Sequence, residues 1–282
     1  MDHGTATGGD APQAEHIRFL FDPPATLCAL AGQRRRFGST VATLTVDELA
    51  APSRCEGWTV ADVLRHLVWV DATMRRLWSG DESPAVRFDP RTTPNDSVNA
   101  DRSVPDDEIQ RRYLASTETM IVELESADPE RFGHPSLSPA GRVPWWLSAV
   151  HQGWDSTVHE RDALAPLGRA VEAVSDEMVP CLAYSLVLAA LFDRRGHLDV
   201  QIGTSRLSRG GGPVIAWATA AGTGEHIANL DGSDDGVTVL SGDPAATIDA
   251  LCGRGSITDT LKGDRSVIDR LDGLARYFTA TG

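Results

Sequence analysis

The segment HQGWDSTVHERD, His151 to Asp162, carries two imidazoles and, besides Glu160, two carboxylates at helical spacing. Helix positions three or four apart share a face, so His151, Asp155, His159 and Asp162 form one polar stripe that could chelate a cation. A solvated face with local i,i+4 pairs is the plain alternative. The flanking Trp145, Trp146, Leu147, Val150, Trp154 and Val158 argue instead for burial, because a helix apolar over so much of its circumference sits inside a protein. Buried imidazoles and carboxylates must find partners: stranding a polar group costs about 1 to 3 kcal/mol, and a charge more.

A first-row metal needs about three good protein ligands, and two positions one helical turn apart supply two of them rigidly. Asp155 and His159 have this spacing, as do His151 and Asp155. The third ligand has to come from another helix. His66 is the candidate, bordering the apolar face of TVADVLRHLVWVDATMRRLW beside Leu67 and one turn before Val70. Taken alone, His66 reads as an ordinary core or boundary histidine with a satisfied hydrogen bond; beside the stripe it becomes the expected third ligand.

The elements that must position these groups read as helices. Leu27, Leu30, Ala31 and Val41 give helical spacing from Pro24 to about Leu44. A loop with Pro52, Cys55 and Gly57 leads to the His66 helix, where Thr59 can cap and Asp62, three residues on, makes an Asp form of the capping box. Gly80 to Pro105 is polar, contains prolines and lacks periodicity, so a long loop is expected there. Pro105 to Ala127 predicts a third helix, with Asp106, Asp107 and Glu108 at the positive end of its dipole. The tryptophan-rich helix from about Pro144 to Ala165 is the fourth, and Ser175 to Arg195 supplies another, with Pro180 in its first turn. Beyond Gly196 the runs HLDVQI, VIAWATA, HIANL and VTVL are β-prone and separated by turn residues, and helical segments follow at Pro244 to Leu251 and Arg265 to Phe278. The expected class is mainly α: a flexible N-terminus at 1–22, a helical bundle at 23–196 and a small α+β C-terminal domain at 197–282.

Composition narrows the function classes. The chain has 282 residues, with hydrophobic and charged fractions of 41% and 23% that are ordinary for a globular protein. Forty acidic against 26 basic residues give a net charge of -14, and no basic stripe with interleaved aromatics is present, so nucleic acid is not an expected partner. Arg34 to Arg36 and Arg194-Arg195 read as solvated helix surface. No apolar run approaches the roughly 18 residues of a membrane span. The glycine- and alanine-rich start has no apolar secretory core, which makes the cytoplasm the default expectation. Cys28, Cys55, Cys181 and Cys252 form no C-x-x-C pair and are expected to be reduced, mostly buried thiols.

The stretch CEGWTVADVLRHL resembles the Trp-containing entry to the first ligand helix of DinB-like metal-binding four-helix bundles. DSTVHERD resembles their E-x-x-x-H-x-x-D segment. VTVLSGDPAATIDALCGRGSITDTLKGD is similar to the small α+β domain appended in the mycothiol-dependent maleylpyruvate isomerase branch, and together the matches span the chain from about residue 25. The resemblance implies that His66, Asp155 and His159 ligate a divalent metal, typically zinc, with positions left open. Asp155 stands where the family has Glu; its shorter reach makes His151 a further candidate ligand. Asp162 is implied as the group behind His159, assisting catalysis from there.

Arg254, in CGRG, matches an arginine of the family's C-terminal domain, suited to hold a cosubstrate or substrate carboxylate; a surface helix-end arginine is the equal alternative. Trp58, Trp146 and Trp154 are expected to pack the bundle rather than line a pocket, and His134, His197 and His226 to take surface or turn roles. The implied cosubstrate is mycothiol, a thiol of actinobacteria, and 25 Arg against the single Lys262 fit a GC-rich source. A zinc-bound thiol ionises near neutral pH and becomes a nucleophile. Two outcomes follow: S-transfer to a small electrophile, or cis-trans isomerisation of the maleylpyruvate type. Asp155 and the Gly80 to Pro105 segment favour transfer. A non-catalytic, metal-stapled small-molecule-binding protein is the alternative from a different class, and a homodimer is compatible with bundles of this kind.

Overall fold

Asp22 accepts a hydrogen bond from the Ala25 amide and two prolines fill the first helical positions, which start α1 (Pro23–Val41) without losing a backbone bond. The computed structural model describes residues 18–19, 22–86, 88–89, 92–139, 141–192, 200–202, 205–208, 215–218 and 238–279. A Thr45–Glu48 capping box opens the short α2 (Val46–Ala50), and the expected Thr59–Asp62 box opens α3 (Val60–Trp78). Then come α4 (Ser83–Val86), α5 (Thr93–Ala100), α6 (Asp106–Glu125) and α7 (Pro129–Phe132). After β1 (Arg18–Phe19) near the start of the chain, β2 (Pro135–Ser138) and β3 (Gly141–Pro144) form an antiparallel hairpin that delivers α8 (Trp145–Leu164). α9 (Ser175–Phe192) follows.

α1 packs on α6 and α8, and α3 packs on the same two helices, which closes a four-helix bundle. Its interior holds two apolar clusters, one including Leu30, Trp145, Val150 and Leu186, the other Phe37, Val63, Leu64 and Ile109. Each such fully buried side chain contributes about 1.5 to 3 kcal/mol of transfer free energy. The C-terminal part adds β4 (Val200–Ile202), β5 (Ser205–Ser208), β6 (Ile215–Ala218), β7 (Thr238–Leu240), α10 (Pro244–Leu251), α11 (Ile257–Thr260) and α12 (Arg265–Thr279). The sheet runs β1-β6-β5-β4-β7, antiparallel through β6, β5 and β4 and parallel at both edges. α9 carries contacts to β5, β6, α10 and α12 on one side and to α8 and α1 on the other, so it joins the bundle to the α+β unit. The mainly helical class, a bundle followed by a small α+β unit, is the observed one.

Several expectations need correction. Gly80 to Pro105 is not a plain loop: it holds α4 and α5, which escape a periodicity reading because α5 buries a single apolar side chain, Val98. The triplet Arg34 to Arg36 is not all solvated, since consecutive helical residues point to different faces. Arg34 is wholly buried and paired with Asp71, Arg36 reaches Glu160 and Glu177, and only Arg35 stays near solvent, against Glu125. Arg18 and Phe19 pair with Ile215 and Ala216, so the N-terminal 22 residues are not all free chain. Pro180 lies in the second turn of α9 rather than the first. The HIANL run, Arg194-Arg195, His197, His226 and the boundary near residue 196 lie outside the described residues. Among the described residues no helix is long and apolar enough to cross a membrane.

Candidate metal centre

α3 presents His66 and α8 presents Asp155 and His159 to a common point. His66 Nε2 lies 3.7 Å from Asp155 Oδ2, and His159 Nε2 lies 3.7 Å from Asp155 Oδ1. The two imidazoles meet edge to face, with centroids 4.8 Å apart. One ligand atom from each of the three lies within 4.8 Å of the others, and a tetrahedral cation with bonds of about 2.0 to 2.1 Å, whose ligand-to-ligand edges are about 3.4 Å, would draw them inward. The carboxylate is short of partners: Asp155 Oδ2 is buried with no hydrogen bond. Two imidazole nitrogens and a carboxylate oxygen form a donor set suited to zinc or a neighbouring divalent ion.

Asp162 sets the orientation of His159. Its Oδ2 is 3.0 Å from His159 Nδ1, which donates its proton there and leaves Nε2 facing Asp155. The carboxylate is fully buried and also accepts from Arg54 Nε at 3.0 Å, Arg254 Nε at 3.2 Å, Arg254 Nη2 at 2.8 Å and the Cys55 thiol at 3.2 Å. Burial opposes its ionisation, but His159 and Arg254 outweigh burial and hold its carboxyl well below the usual range. Asp155 is likewise held low, the nearby His159 and His66 overcoming burial. Burial disfavours protonation of His159, yet Asp155 and Asp162 together raise its pKa to about 10. Burial lowers His66 below its ordinary value and pushes His151 down to about 4. At neutral pH the centre therefore carries a proton on His159, and a cation bound at Nε2 would take that proton's place beside Asp155.

Two backbone devices bring the partners of Asp162 into place. In the CEGW turn the Trp58 amide donates to the Cys55 carbonyl at 3.0 Å, and Gly57 takes φ +72°, a conformation that favours glycine. The Arg54 amide donates to the Asp162 carbonyl at 3.0 Å, tying this turn to the end of α8. On the other side, α10 ends in a Schellman motif. The Gly253 and Arg254 amides reach back to Ala250 and Asp249 at 3.1 and 2.8 Å, and Gly253 has φ +79°. That reversal throws Arg254 onto Asp162. Asp249 completes the joint by accepting both Nη atoms of Arg54 at 2.9 Å and two donors of Arg161 at 2.9 and 2.6 Å.

The centre opens on a cavity of about 830 Å³. His66, Asp155 and His159 meet at its wall, and Asp162 and Arg254 stand behind or beside them. His151 lines the same cavity but is not in the ligand cluster; its ring lies against Trp154 and Tyr184, with centroids 5.7 and 5.4 Å away. Arg254 is not a surface arginine. It is largely buried and directs Nε and Nη2 to Asp162 and Nη1 to the Cys252 carbonyl. Trp58 and Trp154 pack against the apolar clusters as expected but line the cavity as well, the Trp58 indole donating to Asn95 Oδ1 at 2.8 Å while its ring lies 5.3 Å from His66. Trp146 packs against the core, and His134 is exposed.

Arg54, Cys55, Arg161 and Asp249 join the site without having been singled out as functional in the sequence. Cys55 opens the CEGW motif, with Arg54 just before it, and Arg161 and Asp249 lie within the other two quoted stretches, but nothing in their spacing marked them out. Cys55, His159 and Asp162 also cluster closely enough to suggest a second cation position. Electrostatics argue against it, because two guanidinium groups already neutralise Asp162 and the Nδ1 proton of His159 points at it. All four cysteines are free, and Cys28 is exposed rather than buried.

Residues 30–178 match a family model described as the mycothiol maleylpyruvate isomerase N-terminal domain. A crystal structure of the mycothiol-dependent maleylpyruvate isomerase superposes with a TM-score of 0.54 at 16% identity, covering 86% of this chain and 93% of that one. A mutant of that isomerase with one histidine changed to alanine superposes with a TM-score of 0.52 at 17% identity over the same shares. At these identities the likeness is one of fold. No curated protein sequence matches the chain.

Proposed function

The chain belongs to the mycothiol maleylpyruvate isomerase N-terminal domain family, and on that footing we propose that it is a metal-dependent enzyme that uses mycothiol as a thiolate. The reaction is S-transfer to, or exchange on, a small electrophilic substrate. One observation carries this reading: His66, Asp155 and His159 converge around an unsatisfied carboxylate oxygen at the wall of a large cavity. The chain divides in this reading into a bundle at 23–196 that holds the cation and an α+β unit at 197–282 that supplies Arg254.

A divalent cation held by His66, Asp155 and His159, zinc by the donor set, supplies a positive centre that ionises a thiol near neutral pH. His159 Nδ1 donates to Asp162, which would leave Nε2 to hold the cation once its proton is displaced. Arg254 and Arg54 keep Asp162 charged, and Arg254 also brings a positive group to the cavity edge, where an anionic part of thiol or substrate can rest. Trp58 and Trp154 wall the site with apolar surface, which excludes water and strengthens each electrostatic contact inside. The neutral His151 adds no charge to that wall. The sulfur attacks the electrophile and the leaving group departs with the electron pair, giving a thioether.

Isomerisation is the second reading, favoured by the fold likeness to the mycothiol-dependent isomerase over most of both chains. There the thiol adds to a conjugated cis double bond, the bond rotates, and elimination returns the thiol. Zinc-loaded protein incubated with mycothiol and an electrophile separates the two: a stable thioether supports transfer, and recovered thiol with a trans product supports isomerisation. Metal analysis of the purified chain comes first, and a chain that takes up no divalent ion under any loading sinks both.

A further inference from the structure

The wall of the cavity is strongly polarised along its length. From His66 the same face of α3 continues through Trp69, Val70, Thr73, Met74 and Leu77, all of which line the cavity. Eleven residues of helix carry this stripe about 16 Å away from the ligand cluster. α8 runs antiparallel beside it, as shown by the Gln152–Asp71 and Trp78–Ser148 hydrogen bonds at 2.8 and 3.0 Å. Its Val158 and Trp154 therefore continue the apolar wall in the same direction. Leu137, whose carbonyl accepts from Ser148 at 2.8 Å, lines the cavity near the Trp78 end of α3, and Ala85, Phe88, Pro139 and Leu188 line it too.

Charge is confined to the other end. Among the described residues the charged groups lining the cavity are Arg54, Glu56, Asp155, His159 and Arg254, which lie in or next to the ligand cluster and the CEGW turn. His151, part way along, is kept neutral by burial.

We propose that this channel takes an elongated apolar body, an alkyl or arylalkyl chain, whose electrophilic carbon sits at the ligand cluster. The inference rests on the thiol-transfer reading for the reactive end and on the wall chemistry for the rest. A short dianion would leave the α3 stripe from Val70 to Leu77 without a partner, whereas an extended chain buries its methylenes against it. Each added methylene then strengthens binding by about fourfold until the channel is full.

Two measurements on the full chain separate the parts. Calorimetry on metal-free protein with the unreactive probes 1-butanol and 1-octanol reads the channel alone. Octanol is expected to bind on the order of a hundredfold more tightly, and equal affinities would overturn the proposal. Met74→Trp, which fills the channel midway, is expected to cut octanol affinity at least about tenfold; Val70→Phe serves the same purpose if that variant folds poorly, and unchanged octanol affinity in a folded variant overturns the assignment.

The second measurement uses zinc-loaded protein, mycothiol and trans-2-alkenals from four to eight carbons, where the thiol adds to the β-carbon and the α-carbon gains the proton. kcat/KM is expected to climb with chain length in parallel with alkanol affinity. Chain-length-independent turnover overturns the assignment. Octanol selectivity without turnover of any alkenal leaves the apolar occupant standing and counts against the thiol chemistry.

Discussion

Asp71 and Asp155 are buried aspartates contributed by α3 and α8, and they end in opposite conditions. Asp71 is saturated: Oδ1 takes the Arg34 guanidinium and the Gln152 amide at 2.8 Å, and Oδ2 takes the Ser116 hydroxyl at 2.6 Å. Asp155 has imidazole nitrogens at 3.7 Å on either side and one oxygen with no hydrogen bond at all. Arg34 and Asp71 are both sealed from solvent, while Asp155 faces a cavity. Burial of charge is common to the two, so burial does not mark a site. What distinguishes Asp155 is that its neighbours fail to satisfy it while open space lies in front. A cation would resolve that deficit; at Asp71 an arginine of the chain already has.

The comparison can be broken most sharply by removing a ligand. His159→Ala is expected to lower zinc affinity by on the order of a thousandfold and to abolish turnover, with helical circular dichroism unchanged; a folded variant that still binds zinc tightly would erase the distinction between the two aspartates. Next, Asp71→Ala strands a buried guanidinium and is expected to lower folding stability by about 3 to 5 kcal/mol in chemical denaturation. Asp155→Ala should cost far less stability but lose the metal. If the two variants exchanged these phenotypes, the roles assigned here would be reversed.

Asp162→Asn tests how far the orienting hydrogen bond matters, and zinc competition assays are expected to show a drop of about 10- to 100-fold. The pH dependence sharpens the electrostatic side. His159 is protonated in the metal-free protein up to about pH 10, whereas His66 is neutral above its lowered value. Zinc binding between pH 7 and 9 is therefore expected to release about one proton, and affinity to rise with pH by about tenfold per unit. Calorimetry in buffers of different ionisation enthalpy reads that number, and zero protons released would place His159 outside the coordination. The smallest effect is expected for Trp58→Phe, which deletes the hydrogen bond to Asn95 and should cost about 1 kcal/mol of stability in denaturant titration.

The helices that carry the ligands were legible because a 3.6-residue period, a capping box at Thr59 and a chelating stripe on α8 are local patterns. The meeting of His66 with that stripe was inferred from residue chemistry and is seen in the geometry. The parts that escaped are long-range. Arg34 looks like surface until α3 and α6 close over it, and nothing near Asp249 announces that Arg54 and Arg161 will both bind it. α5 escaped for a different reason: eight residues with one buried side chain leave no period to detect. The second role of Trp154 escaped because one face of an aromatic on a buried helix can pack in the core while another faces a cavity.

The reversal of chain that ends α10 reaches further than its own helix. Because Arg254 and Arg54 grip one aspartate, and that aspartate orients an imidazole, the seating of the C-terminal unit is transmitted to the ligand cluster through Asp162. A bundle cut away from that unit would retain its three ligand side chains yet hold one of them slackly. The two halves of the molecule are mechanically one instrument at that joint.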